Sequence, residues 1–370
     1  MNLPSYLPDA IPLAQVRRAL VIKLRHHGDV LLASPVLSSL KHAAPHCEID
    51  ALVFADTASM LSEHPALAQL HTLDRNAKKR GVLAQLRAEW AVFSALRARE
   101  YDLIIHLTDH PRGAWLARFL GARWAVAPVR AKAAKFGKRW WQNSFTHLYK
   151  TVGGGRRHTV DTHLDALRRI GVLPDESARK LQLVAGSGAE SKIDAKLAAL
   201  GVQAGSFIHF HPASRWFFKC WPVAQCAELL SQLVTRGETV VITGAPDDRE
   251  RSMVDAILKA SGVSAINLTG ELSLKELAAL SARAKLFVGV DSAPMHIAAA
   301  MGTPCVALFG PSGDREWGPW RVLHEVVTST HPCRPCGQDG CGSGKVSECL
   351  TTIPVTQVMS AVDRVLSGKQ

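Results

Sequence analysis

No apolar run in the 370-residue sequence approaches the ~20 residues that a bilayer-spanning helix needs. The longest, 297–309, is broken by Gly302 and Pro304. The amino terminus has no basic segment leading into an apolar run, so it shows no secretory signal and a cytoplasmic location is expected. In that compartment the eight cysteines read as thiols or ligands more readily than as disulfides. The loop after the first apolar run lacks the G-x-G-x-x-G fingerprint, which argues against NAD or FAD in the first half. There is no Asp-x-Asp pair, so a divalent metal bridging a nucleotide diphosphate is not expected. No nucleic-acid motif, short repeat or low-complexity tract is present.

What is present is ordinary globular composition, 47% hydrophobic and 21% charged, in a length that suits two domains. The formal net charge of +12 is unevenly placed. Residues 1–180 hold 27 Lys and Arg against 15 Asp and Glu, and residues 181–370 hold 17 of each. Two domains with different partners would carry such a split.

Short apolar runs alternate with helical patterns. Strands are expected at 19–24, 49–54, 69–73 and 102–107, with helices at 30–41, 81–99 and 160–170. The stretch 131–157 breaks the alternation and reads as a basic, aromatic-bearing loop or short helices. A second cycle has strands at 207–210, 239–243, 265–268, 285–290 and 305–309, with helices at 222–236, 248–261, 274–284 and 293–301. The predicted class is α/β, two Rossmann-like doubly wound domains. The expected divisions are an N-terminal extension at 1–17, domains at 18–180 and 181–353, and a C-terminal helix at 354–370 packing back on the N-terminal domain.

In open α/β sheets ligands bind at the carboxyl ends of strands, which nominates four loops. The first is Arg25-His26-His27-Gly28-Asp29, where Asp29 is either a helix N-cap or a general base. The second is His211 to Pro222, where Arg215 and Lys219 can face a phosphate or lie on a solvated, aromatic-packed loop. The third is Thr243-Gly244-Ala245-Pro246-Asp247-Asp248, read first as a capped strand-to-helix turn. The fourth is Asp291-Ser292-Ala293-Pro294-Met295-His296. Its small residues and Pro294 open a helix whose N–H groups favour an anion, with the turn 309–314 beside it.

At these loops the chain resembles glycosyltransferase family 9, the heptosyltransferases of lipopolysaccharide core assembly. The resemblance rests on KLRHHGDVLLASPVLSSLK, HTVDTHLDALRRIGV, HPASRWFFKCWP, LTGELSLKELAALSARAKLFVGVDSAPMHIAAAMGTPCVALFGPS and CRPCGQDGCGSGKVSECL, and spans roughly 18–366. The His-His-Gly-Asp-Val and Arg-Trp-Phe-Phe-Lys-Cys-Trp pieces resemble the heptosyltransferase III branch. The resemblance implies a GT-B fold, with an acceptor-binding first domain and a nucleotide-sugar-binding second domain facing a cleft. It implies inverting transfer of heptose from ADP-heptose to a core heptose, with no metal cofactor. Transfer at another core position, or a polyanion binder without catalysis, are the alternatives. By the same resemblance Asp29 is the general base and Lys219 stabilises the diphosphate. Asp291, Ser292 and Ala293 match the family's nucleotide-sugar loop, and Arg215, Thr243, Gly244, Asp247 and His296 are taken with them as the expected nucleotide-sugar site. Ala293 stands where many members have glycine, and Pro246 where some have an acidic residue.

Residues 75–140 concentrate the charge, with 15 Lys and Arg, 4 Asp and Glu, and Trp90, Trp115, Trp124 and Trp140 among them. Nucleic acid, a solvated surface and an acidic acceptor at a membrane face all fit this composition. The last is preferred: lipopolysaccharide carries carboxylates and phosphates, and anionic surfaces attract basic segments. The partners expected are therefore ADP-heptose, the lipopolysaccharide core and an anionic membrane surface on the inner face of the inner membrane, with no nucleic acid. His27, Gly28, Thr108, Asp109 and Arg112 are the acceptor candidates. Cys333, Cys336, Cys341 and Cys349 form C-x2-C-x4-C-x7-C, free thiols in a loop or a structural zinc site.

Overall fold

The computed structural model describes residues 7–129, 137–151 and 156–368. The parts of the basic-loop reading at 131–136 and 152–155 lie outside the described residues. The chain divides into two compact units, Met1–Gln182 and Leu183–Gln370.

In the first unit the strands are β1 (Arg18–Ile22), β2 (Glu48–Phe54), β3 (Leu67–Leu73), β4 (Leu103–His106), β5 (Trp124–Pro128) and β6 (His147–Tyr149). They form one parallel sheet in the order β3-β2-β1-β4-β5-β6. Helices α1 (His27–Leu31), α2 (Ser34–Ala43), α3 (Val82–Arg97), α4 (Pro111–Phe119), α5 (Lys138–Gln142) and α6 (Thr159–Arg168) connect or flank them. Four of the five β1 residues are buried, and all four of β4, as strands covered on both faces require.

The second unit repeats this plan with β7 (Phe207–His211), β8 (Thr239–Ile242), β9 (Ile266–Asn267), β10 (Leu286–Val290), β11 (Cys305–Leu308) and β12 (His324–Val327). Its order is β12-β11-β10-β7-β8-β9. The helices are α7 (Ser187–Ala199), α8 (Val223–Thr235), α9 (Asp248–Ser261), α10 (Leu274–Arg283), α11 (Ala293–Ala300), α12 (Asp314–Trp317), α13 (Glu348–Thr351) and α14 (Val355–Leu366). Local chemistry sets their ends. Ser273 and Glu276 form a capping box at α10, and Gly262, at φ +65°, ends α9 in the left-handed region.

Several elements differ from the sequence expectation. The single helix expected at 30–41 is two, because Pro35 suits the first turn of α2 but not the interior of a longer helix. The strand β5 ends in Pro128 and β6 has three residues, so neither gave a readable period. The C-terminal helix packs within the second unit. Val358, Val362 and Val365 of α14 belong to the core of the second unit, with Leu229 and Leu233 of α8. Trp221 Nε1 donates to the carbonyl of Ile353 just before α14, at 3.2 Å. An amphipathic helix buries its stripe against whichever core it can reach, and its sequence does not say which.

Buried histidines recur in both units. Burial pushes His64 and His211 down to about 4, His106 and His209 down to about 3, and His163 well below the usual value of 6.5. Gly113 makes room for one of them, since a Cβ there would lie 2.2 Å from Nε2 of His106. Below pH 6.5 each such histidine takes up a proton in the unfolded chain but not in the folded one. Acid therefore favours unfolding, by ~1.4 kcal/mol per group per pH unit. Urea midpoints measured from pH 7.5 down to 5.5 should fall steadily, and more shallowly in His209→Gln. A flat profile would show that these side chains are not held neutral.

Candidate functional site

Each sheet reverses its strand order at one seam, between β1 and β4 in the first unit and between β10 and β7 in the second. Connections leave such a seam in opposite directions, so the loops diverge and open a crevice at the strand carboxyl ends. The polar residues singled out from the sequence gather mainly at these two places.

In the first unit, Lys23 follows β1 and is buried. Its Nζ is 3.6 Å from Asp29 Oδ1 and donates to His163 Nε2 at 2.8 Å and to the Leu107 carbonyl at 3.5 Å. His163 Nδ1–H in turn donates to the Leu32 carbonyl at 3.0 Å, which leaves Nε2 as the acceptor. Burial pulls the Lys23 ammonium down to about 8, partly opposed by the Asp29 carboxylate. Asp29 lies in the first turn of α1, but His26 is the N-cap and no side chain caps that end. The carboxylate is therefore not consumed as a cap. It stays partly open, oriented by Lys23.

The acceptor candidates lie in α1, in the loop after β4 and in α4. Asp109 Oδ1 pairs with Arg25 Nη2 at 3.5 Å, joining the loops after β1 and β4. His27 Nε2 donates to the Asp56 carbonyl at 2.8 Å. Gly28 lies within α1. Thr108 is turned inward, its hydroxyl 3.3 Å from His106 Nε2 and accepting from the His110 N–H at 3.4 Å. Arg112 pairs with Glu89 of α3, at 2.8 Å.

In the second unit, Lys219 Nζ donates to Asp291 Oδ2 at 2.6 Å, linking the loops after β7 and β10 across the seam. Asp291 is buried and Lys219 half-buried, so the pair is shielded on one side and open on the other. A lysine has three N–H donors, and Asp291 uses one. Ser292 is the N-cap of α11 without capping it; its hydroxyl donates to the Val290 carbonyl at 3.3 Å. Ala293 opens that helix, and His296 is buried within it. Gly289 permits the tight approach of β10 to β7, because a Cβ would lie 2.8 Å from the His211 carbonyl oxygen.

Other candidates have structural roles. The Thr243 hydroxyl is buried, 2.8 Å from both His209 Nε2 and His211 Nδ1. Asp247 caps α9, accepting from the N–H groups of Arg249 and Glu250 at 3.1 and 3.2 Å. The carbonyl of Gly244 accepts from the Gly270 N–H at 2.9 Å. Arg215 lies 5.5 Å over the Trp216 ring.

Sequence reasoning passed over Lys23, His163, Glu250, Arg334 and Ser347. Glu250 accepts from the Ala245 N–H at 2.7 Å and shapes the turn after β8. Arg334 donates to the Gly310 carbonyl at 2.7 Å and pairs with Asp314 at 3.2 Å. The Ser347 hydroxyl donates to the Phe218 carbonyl at 2.6 Å. The cysteine-bearing segment thus braces the turn after β11 and the Lys219 loop. Its four thiols are free. Among the described residues no group of three or more His, Cys, Asp or Glu is arranged to hold a metal ion.

Two doubly wound parallel halves, each with charged groups at its switch point, make a GT-B fold, the architecture of a large class of glycosyltransferases. A family description, glycosyltransferase family 9 (heptosyltransferase), matches residues 89–347. The chain is 35% identical over 348 residues to lipopolysaccharide heptosyltransferase 3 of Escherichia coli strain K12, covering 93% of this chain and 96% of that one. It is similar in structure to a glycosyl transferase family 9 protein from Veillonella parvula. There the TM-score is 0.82 at 24% identity, over 98% of this chain and 100% of that chain. E. coli heptosyltransferase WaaC, solved with ADP, gives 0.70 at 19% identity, over 94% and 99%. The chain belongs to glycosyltransferase family 9 and is a glycosyltransferase of the heptosyltransferase kind.

Removing Lys219 would leave the buried Asp291 carboxylate without its cation. Lys219→Met should cost ~3 kcal/mol, and adding Asp291→Asn should restore most of it. Urea titration reads both. Equal stability of Lys219→Met and the parent would show the pair to be loose.

Proposed function

We propose that the chain transfers L-glycero-D-manno-heptose from ADP-heptose to a heptose of the lipopolysaccharide inner core, in the manner of a third-heptose enzyme. The observation that supports this most is the pairing of a cation with a buried carboxylate across the second seam, on a chain 35% identical to a heptosyltransferase 3.

Asp29 takes the proton of the acceptor hydroxyl as its oxygen attacks the anomeric carbon. The bond from that carbon to the diphosphate oxygen breaks on the opposite face, with inversion, and ADP leaves carrying the new negative charge. Lys219 meets that charge with its two remaining N–H donors. The amino-terminal N–H groups of α11 add to it. Asp291 acts through Lys219, since a carboxylate facing a diphosphate would repel it; its work is to hold the ammonium in place. Lys23, held by His163, does the same for Asp29. With Lys219 in this role, and no Asp-x-Asp pair in the sequence, transfer proceeds without a divalent metal.

The acceptor half works at an anionic surface, the cytoplasmic face of the inner membrane. Its charge excess supports this reading.

Purified chain given ADP-heptose and core acceptors of stepwise length should add one heptose to one of them, read by mass, with EDTA making no difference. Asp29→Ala should lower kcat by ~10²-fold or more while ADP affinity holds within a few-fold. No product with any acceptor, while ADP still binds, would overturn the catalytic reading. A strict requirement for added metal would overturn the metal-free mechanism. Raised salt should weaken lipopolysaccharide association much more than ADP-heptose binding; equal weakening would remove the electrostatic reading of the basic half.

A further inference from the structure

The helix α3 carries one broad apolar arc, part of it turned to the core and part of it exposed. Val92, Phe93 and Leu96 pack on the core of the first unit. Val82, Leu83, Leu86 and Trp90 face outward, with Leu83 74% and Trp90 68% exposed. Steps of three and four residues place them on one stripe. Beside it on α4, Trp115 and Phe119 stack at 4.9 Å and are also exposed. Trp140, from α5, lies 5.7 Å from Trp115. Between α3 and α4 runs a groove of about 580 Å³, its apolar floor reaching Leu52 and Leu73 of the sheet and its polar rim formed by Glu89 and Arg112.

A folded surface rarely leaves this much aromatic and aliphatic side chain contiguous and exposed. The charge around it suggests what covers it. Arg87 and Arg97 of α3, Arg118 of α4, and Lys138 and Arg139 of α5 are all exposed. The acidic groups nearby are fewer: Glu89 pairs with Arg112 and Asp109 with Arg25, Asp102 accepts from the N–H groups of Arg17 and Arg18, and Glu100 is exposed, which leaves the region net positive. Tryptophan and aliphatic residues set among an excess of Lys and Arg match the boundary of an anionic bilayer, with rings at the headgroup level and cations on the phosphates. A second copy of the chain fits less well, because a two-fold contact would bring the same positive field against itself.

We propose that the outer face of α3, with the Trp115–Phe119 pair of α4, inserts into the headgroup region of an anionic bilayer. The α3–α4 groove then faces the acyl chains. This rests on the reading that the chain works at an anionic membrane face and adds a hydrophobic anchor to what would otherwise be electrostatic attraction alone. The charge brings the protein to the surface, and the insertion holds it there at ionic strengths that screen the charge.

The test is flotation of the full chain with phosphatidylcholine vesicles, with and without phosphatidylglycerol, at low and high salt. The wild type should bind the phosphatidylglycerol vesicles and keep part of that binding at high salt. Vesicles with brominated acyl chains should quench its tryptophan fluorescence. Leu86→Ser/Trp90→Ser should lose ~10-fold or more of the binding and most of the quenching, while its melting temperature and its transfer to an acyl-free core acceptor stay unchanged. Leu83→Gln, at a still more exposed position, is the second variant should the first fail to fold. Variant binding equal to wild type, all of it removed by salt, would overturn the insertion while leaving the membrane reading standing. Absence of wild-type binding at any salt would bring down both. A solution dimer that the variant converts to monomer, with vesicle binding unchanged, would assign the face to a second copy instead.

Discussion

The Lys219–Asp291 contact, 2.6 Å long, crosses the seam where the second sheet reverses its order, and the geometry of the second unit's switch point is arranged around it. A buried carboxylate is stable only with a cation or several N–H groups beside it. Asp291 therefore pulls the Lys219 loop over the end of β10. Gly289 lets β10 lie close enough to β7 for the reach to be possible. Ser347 and the cysteine-bearing segment hold the Lys219 loop from behind, through the Phe218 carbonyl. One ion pair thus fixes where a positive group stands relative to the amino terminus of α11.

The first unit solves the matching problem with the signs exchanged. The group to be held there is Asp29, and the buried member is Lys23. Burial lowers the lysine to about 8, close to losing its charge, while Asp29 works against that loss. Neutral His163 takes the remaining N–H without adding charge. Each half therefore sets a partly open ionic group against a buried partner of opposite charge at the same topological position.

Much of the fold was legible from the alternation of apolar runs. Buried parallel strands such as β1, β4 and β10 need near-continuous hydrophobicity, and helices need a three-to-four-residue period. Short or proline-ended strands, β5 and β6, carry too little pattern to be read. The one helix expected after β1 became two because a single proline, Pro35, forbade continuity. Candidate site residues were legible where a charged or small residue follows a strand, which is how Asp29, Lys219 and Asp291 were nominated. The rule also gathered in residues whose side chains turn inward. Thr243 bonds two buried histidines, Asp247 caps a helix, and Arg112 is taken by Glu89. Position along the chain says which loop a residue occupies, not which way it points.

The sequence by itself determined the family, the two-domain α/β plan, the concentration of positive charge in the first half and the loops in which chemistry can occur. These depend on composition and on neighbours a few residues apart. Only the tertiary structure decided what rests on long-range pairing. It set Lys23 against His163, 140 positions apart, and Lys219 against Asp291, 72 apart. It assigned α14 to the second core, and it left the outer edge of the apolar arc of α3 uncovered beside the α4 aromatics. An apolar stripe records that a helix seeks a partner; whether the fold supplies one is settled only when every other element has taken its place.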